Sequence, residues 1–406
     1  MERILVLKNP IQNYAWGSKT FIPELIGEPA SKKTPQAELW MGAHPKAPSL
    51  VWYDGKWVPL PQLIQDNPEG ILGKSVAKKF SNRLPFLFKV LAAERPLSIQ
   101  AHPDRDRARQ GFVRENSLGI PLNAPYRNYR DDNHKPEIIC ALTPFWALIG
   151  FRELEEIIAL SDRLGASMFR DKAISLRTQS DQDALRRLFT FLMTMARHHQ
   201  RRMVADVVAS CKEYADVDKA FEWTVRLNQA YAGDIGVLSP LFMKIVRLEP
   251  GRAMYISSGR LHAYLEGAGI ELMANSDNVL RGGLTSKNID VTELLEILDF
   301  TADEIPILTP KRGRDSENLF LSPAEEFALS MISLTQGTVF ESTKKDSVEI
   351  MICTKGQAHM TDLGHAEELS LNKGTAIIIP AAAGPYRIEV HRIKGKATIY
   401  KAAVPP

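Results

Sequence analysis

Cysteine is scarce in this chain. Cys140, Cys211 and Cys353 are the three in 406 residues, far apart and in no CxxC pair. Neither a disulfide framework nor a thiolate metal site follows from them, and a reducing compartment fits best. Long apolar runs are missing as well: nothing is long enough to cross a bilayer, and Met1 to Pro10 is too weakly apolar for a signal peptide. The expectation is a cytoplasmic protein without a membrane partner. No charge of one sign dominates either. The net charge is +3, and the basic residues lie scattered among acids. That excludes a nucleic-acid footprint while leaving room for a local phosphate pocket.

What is present is an ordinary globular composition, 44% hydrophobic and 24% charged, in a chain too long for one core. Two or three compact units are expected. Up to about Gly150, short apolar runs such as Leu87 to Leu91 and Ile138 to Leu142 are broken by Pro and Gly and read as strands. From Phe151 the period changes. Leu154, Ile157 and Ile158, then Leu185, Leu188, Phe189 and Leu192, follow helical spacing, and glycine nearly disappears before Gly233. Strand character returns at Leu241 to Leu248 and, after the Glu249-Pro250-Gly251 turn, at Ala253 to Ile256. A basic segment, Lys311-Arg312-Gly313-Arg314, precedes a last β-rich region with Val348 to Ile352 and Ala376 to Pro380. The fold class is therefore mainly β with a helical insertion. The expected units are 1–151, the helical 152–239, a return segment 240–312 and a second β unit 313–406. His198-His199 beside Arg201-Arg202 reads as a solvated helix face.

The most informative segment is Leu97-Ser98-Ile99-Gln100-Ala101-His102-Pro103-Asp104. Extended geometry puts Ser98, Gln100 and His102 on one face and Leu97, Ile99 and Ala101 on the other, where they can pack into a barrel wall. In Asn133-His134-Lys135-Pro136-Glu137, proline holds Lys135 extended, so Lys135 and Glu137 share a face. A third segment carries His262 after the Gly259 turn. Gln100, His102, Glu137 and His262 supply an amide oxygen, two imidazoles and a carboxylate, a set suited to a divalent metal with an open position. Each residue alone also fits a simpler role, since a lone histidine is usually hydrogen-bonded or at the surface. Spacing does not choose between the two readings.

At these residues the sequence resembles the type I mannose-6-phosphate isomerases. The family's recurrent segments stand here as Gln12 to Gly17, Ala37 to Pro45, Pro85 to Lys89, Leu97 to Pro103, His134 to Glu137, His262 to Leu265 and Asn275 to Arg281. The resemblance implies a catalytic cupin (jelly-roll) barrel interrupted by helices and a second cupin-like barrel without a metal. It also implies one Zn2+ held by Gln100, His102, Glu137 and His262, and a sugar-phosphate substrate. Mannose 6-phosphate and fructose 6-phosphate would interconvert through a cis-enediol(ate), in carbohydrate metabolism. Arg281 takes a catalytic role by the same resemblance, with a loop-fixing salt bridge to Asp277 as the alternative. Lys135, His134, Asp277 and Glu271 are candidates for proton transfer, Lys135 first. Ser98 and Lys287 are implied at the phosphate, with Lys89, Arg281 and Glu271 as further substrate-side residues. For Lys89 the alternative is a snorkelling side chain, and His44 is expected to support the site by hydrogen bonding. Two stretches depart from the common pattern, Thr285-Ser286-Lys287 and Ser257-Ser258-Gly259-Arg260, and neither removes a functional side chain. Two other functions compete: a non-haem iron oxygenase, which also uses two histidines and a carboxylate, and a non-enzymatic sugar-phosphate sensor. A monomer is expected.

Overall fold

The structure, a computed structural model, describes residues 2–31, 34–165, 167–313, 315–342, 346–391 and 395–405. Its organising element is the 13-residue strand His262–Ala274. The second half of that strand pairs antiparallel with Phe86–Ala93 on one side and Glu137–Ala141 on the other. Its first half pairs with Phe145–Phe151 and, at His262, with Ile99–Ala101. One strand thus runs through both walls of the first barrel. The change of wall falls at Gly267, whose φ of +125° is poorly accessible to other residues. A Cβ there would lie 2.6 Å from Pro144 O and 2.8 Å from Phe145 Cα, both backbone atoms. Gly267→Val should therefore destabilise the protein by about 3 kcal/mol or more, read as a thermal midpoint lowered by several degrees. An unchanged midpoint would mean that the bend accepts a side chain.

The strand Phe86–Ala93 is buried along its whole length because it separates two cores. Phe86, Phe88, Val90 and Ala92 pack in one apolar layer with Phe327, Leu329, Ile350, Ile378 and Tyr400 of the C-terminal region. Leu87, Lys89, Leu91 and Ala93 turn toward the barrel interior, following the two-residue alternation of a strand. The C-terminal region has its own inner core around Ile332, Met351, Ile377 and Ile399. Leu5–Lys8 and Leu50–Tyr53 join this second sheet: Leu5–Lys8 pairs with Ala376–Ile379 on one side and Leu50–Tyr53 on the other. The N-terminal residues, read from sequence as part of the first unit, thus complete the sheet of the last. Lys311–Arg312 also belongs to that sheet, pairing with Glu317–Phe320, while Arg314 lies outside the described residues.

Helices occupy the chain from Leu154–Arg163 to Ser239–Phe242. Their apolar stripes, including Leu154, Ile157, Ile158, Leu185, Leu188, Phe189 and Leu192, form one core with Ile99, Ala101, Ala263 and Leu265 of the barrel wall. That packing turns Gln100 and His262 the other way, inward. Leu241 and Phe242 lie in a short helix, and the strand begins at Met243. Pro240 accounts for the difference, since it suits a first helical turn and has no N–H for a ladder. His198 and His199 are exposed on the helix Arg197–Glu213. No helix among the described residues is long and apolar enough to cross a membrane.

Candidate metal centre

Sheet register assembles the site. Gln100 is the direct cross-strand partner of His262 on one side and of Arg281 on the other. Directly opposed residues of an antiparallel sheet project from the same face, so His262, Gln100 and Arg281 form one row. His102 follows the same strand two residues on, and Glu137 opens the strand Glu137–Ala141. Each buried histidine places its Nδ1 against a backbone carbonyl: His102 at 2.7 Å from Asn278 O, His262 at 2.9 Å from Arg260 O. An Nδ1–H donated there leaves the Nε2 lone pair facing inward.

The two Nε2 atoms flank one carboxylate, at 3.4 Å from Glu137 Oε1 and Oε2 respectively. His102 Nε2, His262 Nε2 and Glu137 Oε2 are buried and have no hydrogen-bond partner among the described residues. Potential ligand atoms of the three residues all lie within 4.8 Å of one another. Three orphaned lone pairs converging in a dry interior are costly unless a cation lies between them. Protonation states agree. Burial, reinforced by the Lys135 ammonium, pushes the His102 pKa down to about 4, so the ring is neutral. Burial alone would raise that of Glu137, but the neighbouring Lys135 holds it well below the usual carboxylate range. Two imidazoles and a carboxylate, with the Gln100 amide in the same row, make a donor set for a divalent ion.

Lys135 Nζ is 2.8 Å from Glu137 Oε1, with the side chain 10% exposed. Lys89 does not snorkel. Its ammonium is 2.8 Å from Glu271 and 3.8 Å from Glu38, which in turn accepts from Trp40 Nε1 at 2.6 Å. Burial by itself would lower the Lys89 pKa, yet the two carboxylates raise it, so the lysine stays charged. Asp277 is engaged by Lys46 at 2.7 Å and His44 at 3.5 Å, not by Arg281. His44 Nδ1 also lies 3.3 Å from Lys46 N, which donates to it. His134 turns aside, with Nε2 at 2.7 Å from Glu326 Oε1. Asp104 caps the helix Arg105–Ser117 by accepting from Arg107 N.

Arg281 is half-buried and has no ion pair among the described residues. Its pKa is lowered by burial and then by Arg130. That of Lys287 is lowered by burial, then by Arg281, Arg130 and Lys46. Lys46 is paired with Asp277, whereas Arg281, Arg130 and Lys287 crowd together without an ion pair among the described residues, a seat for an anion. Ser98, on the Gln100 face, precedes the same strand. Sequence reasoning missed Arg130, and it missed Asn278. The fully buried Asn278 amide accepts from Arg130 N and Asp131 N and donates to the Asp131 and Asn133 carbonyls, while its own carbonyl meets His102. One asparagine therefore braces both the His102 ring and the loop leading to Glu137. Its partners are remote in sequence, so the only local signal was a run of polar residues between two strands.

An antiparallel barrel with an inward His-Glu-His set, a helical insertion and a second barrel defines a two-barrel, metal-binding cupin protein. Family models match three stretches: the type I phosphomannose isomerase catalytic domain over residues 4–154, its helical insertion domain over 164–243, and the mannose-6-phosphate isomerase cupin domain over 316–399. The chain is 40% identical to the mannose-6-phosphate isomerase of Escherichia coli (strain K12), covering 95% of this chain and 97% of that one. It is 32% identical to mannose-6-phosphate isomerase 2 of Arabidopsis thaliana, over 98% and 92%. A crystal structure of the Salmonella typhimurium mannose 6-phosphate isomerase bound to substrate (f6p) and zinc superposes with a TM-score of 0.89 at 36% identity, covering 99% and 100% of the two chains. The chain belongs to the type I phosphomannose isomerases. The oxygenase and sensor readings lose their support with that membership.

Proposed function

We propose that this protein is a zinc-dependent aldose-ketose isomerase that interconverts D-mannose 6-phosphate and D-fructose 6-phosphate. The observation that carries the reading is the set of three orphaned, converging donors in a sheet row shared with Arg281, which has Arg130 and Lys287 near it. The Salmonella relative, bound to f6p and zinc, supports both ligands. Gln100, His102, Glu137 and His262 would hold the ion. When bound, Zn2+ supplies Lewis-acid polarisation of the sugar oxygens.

The remaining chemistry belongs to the chain. A base removes the proton from C2 of the open-chain aldose, the C2–H electron pair forms the C1–C2 double bond while the C1 carbonyl pair moves to O1, the O2 hydroxyl proton passes to O1, and C1 regains a proton as C2 becomes the ketone. Lys135 is assigned to that transfer, its uncharged amine taking the C2 proton and the resulting ammonium returning one at C1, since it is the buried side-chain nitrogen 2.8 Å from Glu137. Arg281, in the same row as Gln100, stabilises negative charge on the adjacent oxygens. Lys287, Ser98 and Arg130 take the phosphate. The Lys89–Glu271 pair, inside the barrel, orders the wall against which the sugar lies. His134 and Asp277, both held by other side chains, position the site and leave proton transfer to Lys135. The units 1–151 with 240–312, 152–239 and 313–406 serve as catalytic barrel, helical insertion and metal-free barrel. A cytoplasmic monomer is part of this reading, supported by three buried free thiols and by a site drawn from one chain.

Mannose 6-phosphate incubated with the protein in deuterated water should yield fructose 6-phosphate by NMR, and conversion should stop on metal removal and resume on adding zinc. No conversion by metal-replete protein would sink the assignment. Turnover surviving verified metal removal would reject the metal while keeping the isomerase.

A further inference from the structure

Glu326 of the C-terminal region makes side-chain contacts with residues that flank two of the metal-binding segments. Glu326 lies between the strands Glu317–Phe320 and Ala328–Thr335 and is 1% exposed. Its neighbour Phe327, fully buried in the apolar layer between the barrels, anchors the backbone. Glu326 Oε1 meets two partners from the catalytic barrel. His134 Nε2 is 2.7 Å away, and Arg105 Nη2 donates to the same oxygen. Arg105 and His134 also touch each other at 2.8 Å.

The sequence positions of the two partners give this contact its meaning. Arg105 stands three residues after His102, across Pro103 and the capping residue Asp104. His134 stands three residues before Glu137, across Lys135 and Pro136. Proline and a helix cap make both links stiff. The distance between the His102 and Glu137 segments is therefore set where Arg105 and His134 are gripped together. Burial alone would raise the Glu326 pKa, but His134 and Arg105 bring it below the ordinary carboxylate value, so the grip is that of an anion. The Arg105 guanidinium on a buried carboxylate oxygen holds more firmly than a neutral hydrogen bond would.

We propose that Glu326 is a positioning residue of the active site, with which the second barrel fixes the spacing of two metal-ligand segments. This deepens the function proposed above and rests on it. It also gives the metal-free barrel a role that apolar contact alone does not.

The test uses the full-length protein loaded with cobalt or zinc, comparing wild type with Glu326→Ala, Glu326→Gln and Lys79→Ala. Lys79 pairs with Glu325 at 3.3 Å on the exposed rim of the same interface, with no hydrogen bond to His134 or Arg105 among the described residues, and serves as the control. In Glu326→Ala, zinc release to a chromogenic chelator should accelerate about tenfold, as for other partners that orient metal ligands. The visible spectrum of the cobalt form should shift, and kcat should fall about tenfold with KM changed less than about twofold. Glu326→Gln keeps an acceptor of the same shape and should recover most of the spectrum and about half of the loss in kcat; it also carries the test if the alanine variant fails to fold. Lys79→Ala should match wild type. An unchanged cobalt spectrum and release rate in the folded Glu326 variants would overturn the proposal, as would equal changes in Lys79→Ala. Failure of the wild type to take up cobalt would overturn the metal-site reading itself, and this proposal with it.

Discussion

Replacing Glu137 by glutamine should release the metal and reduce turnover by at least about 100-fold, more than the 10–100-fold typical of losing an outer-shell partner. The substitution preserves volume and one oxygen donor, so the loss measures charge. With Glu137 ionised, a divalent ion and its ligands carry a single net positive charge. With glutamine they carry two, in a dry interior, beside the Lys135 ammonium that now lacks its carboxylate at 2.8 Å. Leaving one member of a buried pair uncompensated costs about 3–5 kcal/mol, so the apo variant should also melt earlier than apo wild type. Lys135→Met is the complementary case. It removes a repelling cation, so metal binding should hold or tighten while turnover falls. Metal content by atomic absorption and turnover separate the two outcomes. A glutamine variant that keeps one zinc per chain at wild-type affinity would show that Glu137 is not a ligand.

What could be read ahead of the structure follows from the reach of each physical signal. The two-residue period of a strand was enough to put Gln100 with His102, because the same alternation sends Ile99 and Ala101 to the helical core. Pro136 was enough to set Lys135 beside Glu137, which the structure places in contact. The switch to helical spacing after Phe151 was equally visible, since an amphipathic stripe is a local pattern. Register was not visible. Nothing in the residues near Arg281 states that Gln100 is its cross-strand partner, or that Leu5–Lys8 pairs with Ala376–Ile379 at the far end of the chain. The bracing groups escaped for the same reason. Asn278 meets the Asp131 loop 147 residues away, and Glu326 meets His134 across 192. The sequence therefore displays the ligands more readily than the side chains that aim them.

Arg281→Ala should lower kcat by about 10²- to 10³-fold, the range seen when a preorganised oxyanion donor is removed, while leaving metal content at the wild-type value. The backbone explains the second half of that expectation. Arg281 is bound to the sheet through main-chain pairing with Gln100, which alanine retains, so the ligand row stays in place. The side chain explains the first half. A half-buried guanidinium with no ion pair among the described residues, close to Arg130 and Lys287, gains little from the folded protein itself. Its interactions are free for an anion, and the proposed isomerisation would generate one on the adjacent sugar oxygens. Arg281→Lys should recover only part of the loss, because an ammonium cannot present the planar, forked donors of a guanidinium to two adjacent oxygens. The decisive measurement pairs steady-state kinetics with zinc analysis on the same samples. A fall in kcat together with an equal fall in zinc would make Arg281 a support of the metal site, and unchanged turnover would remove it from the chemistry.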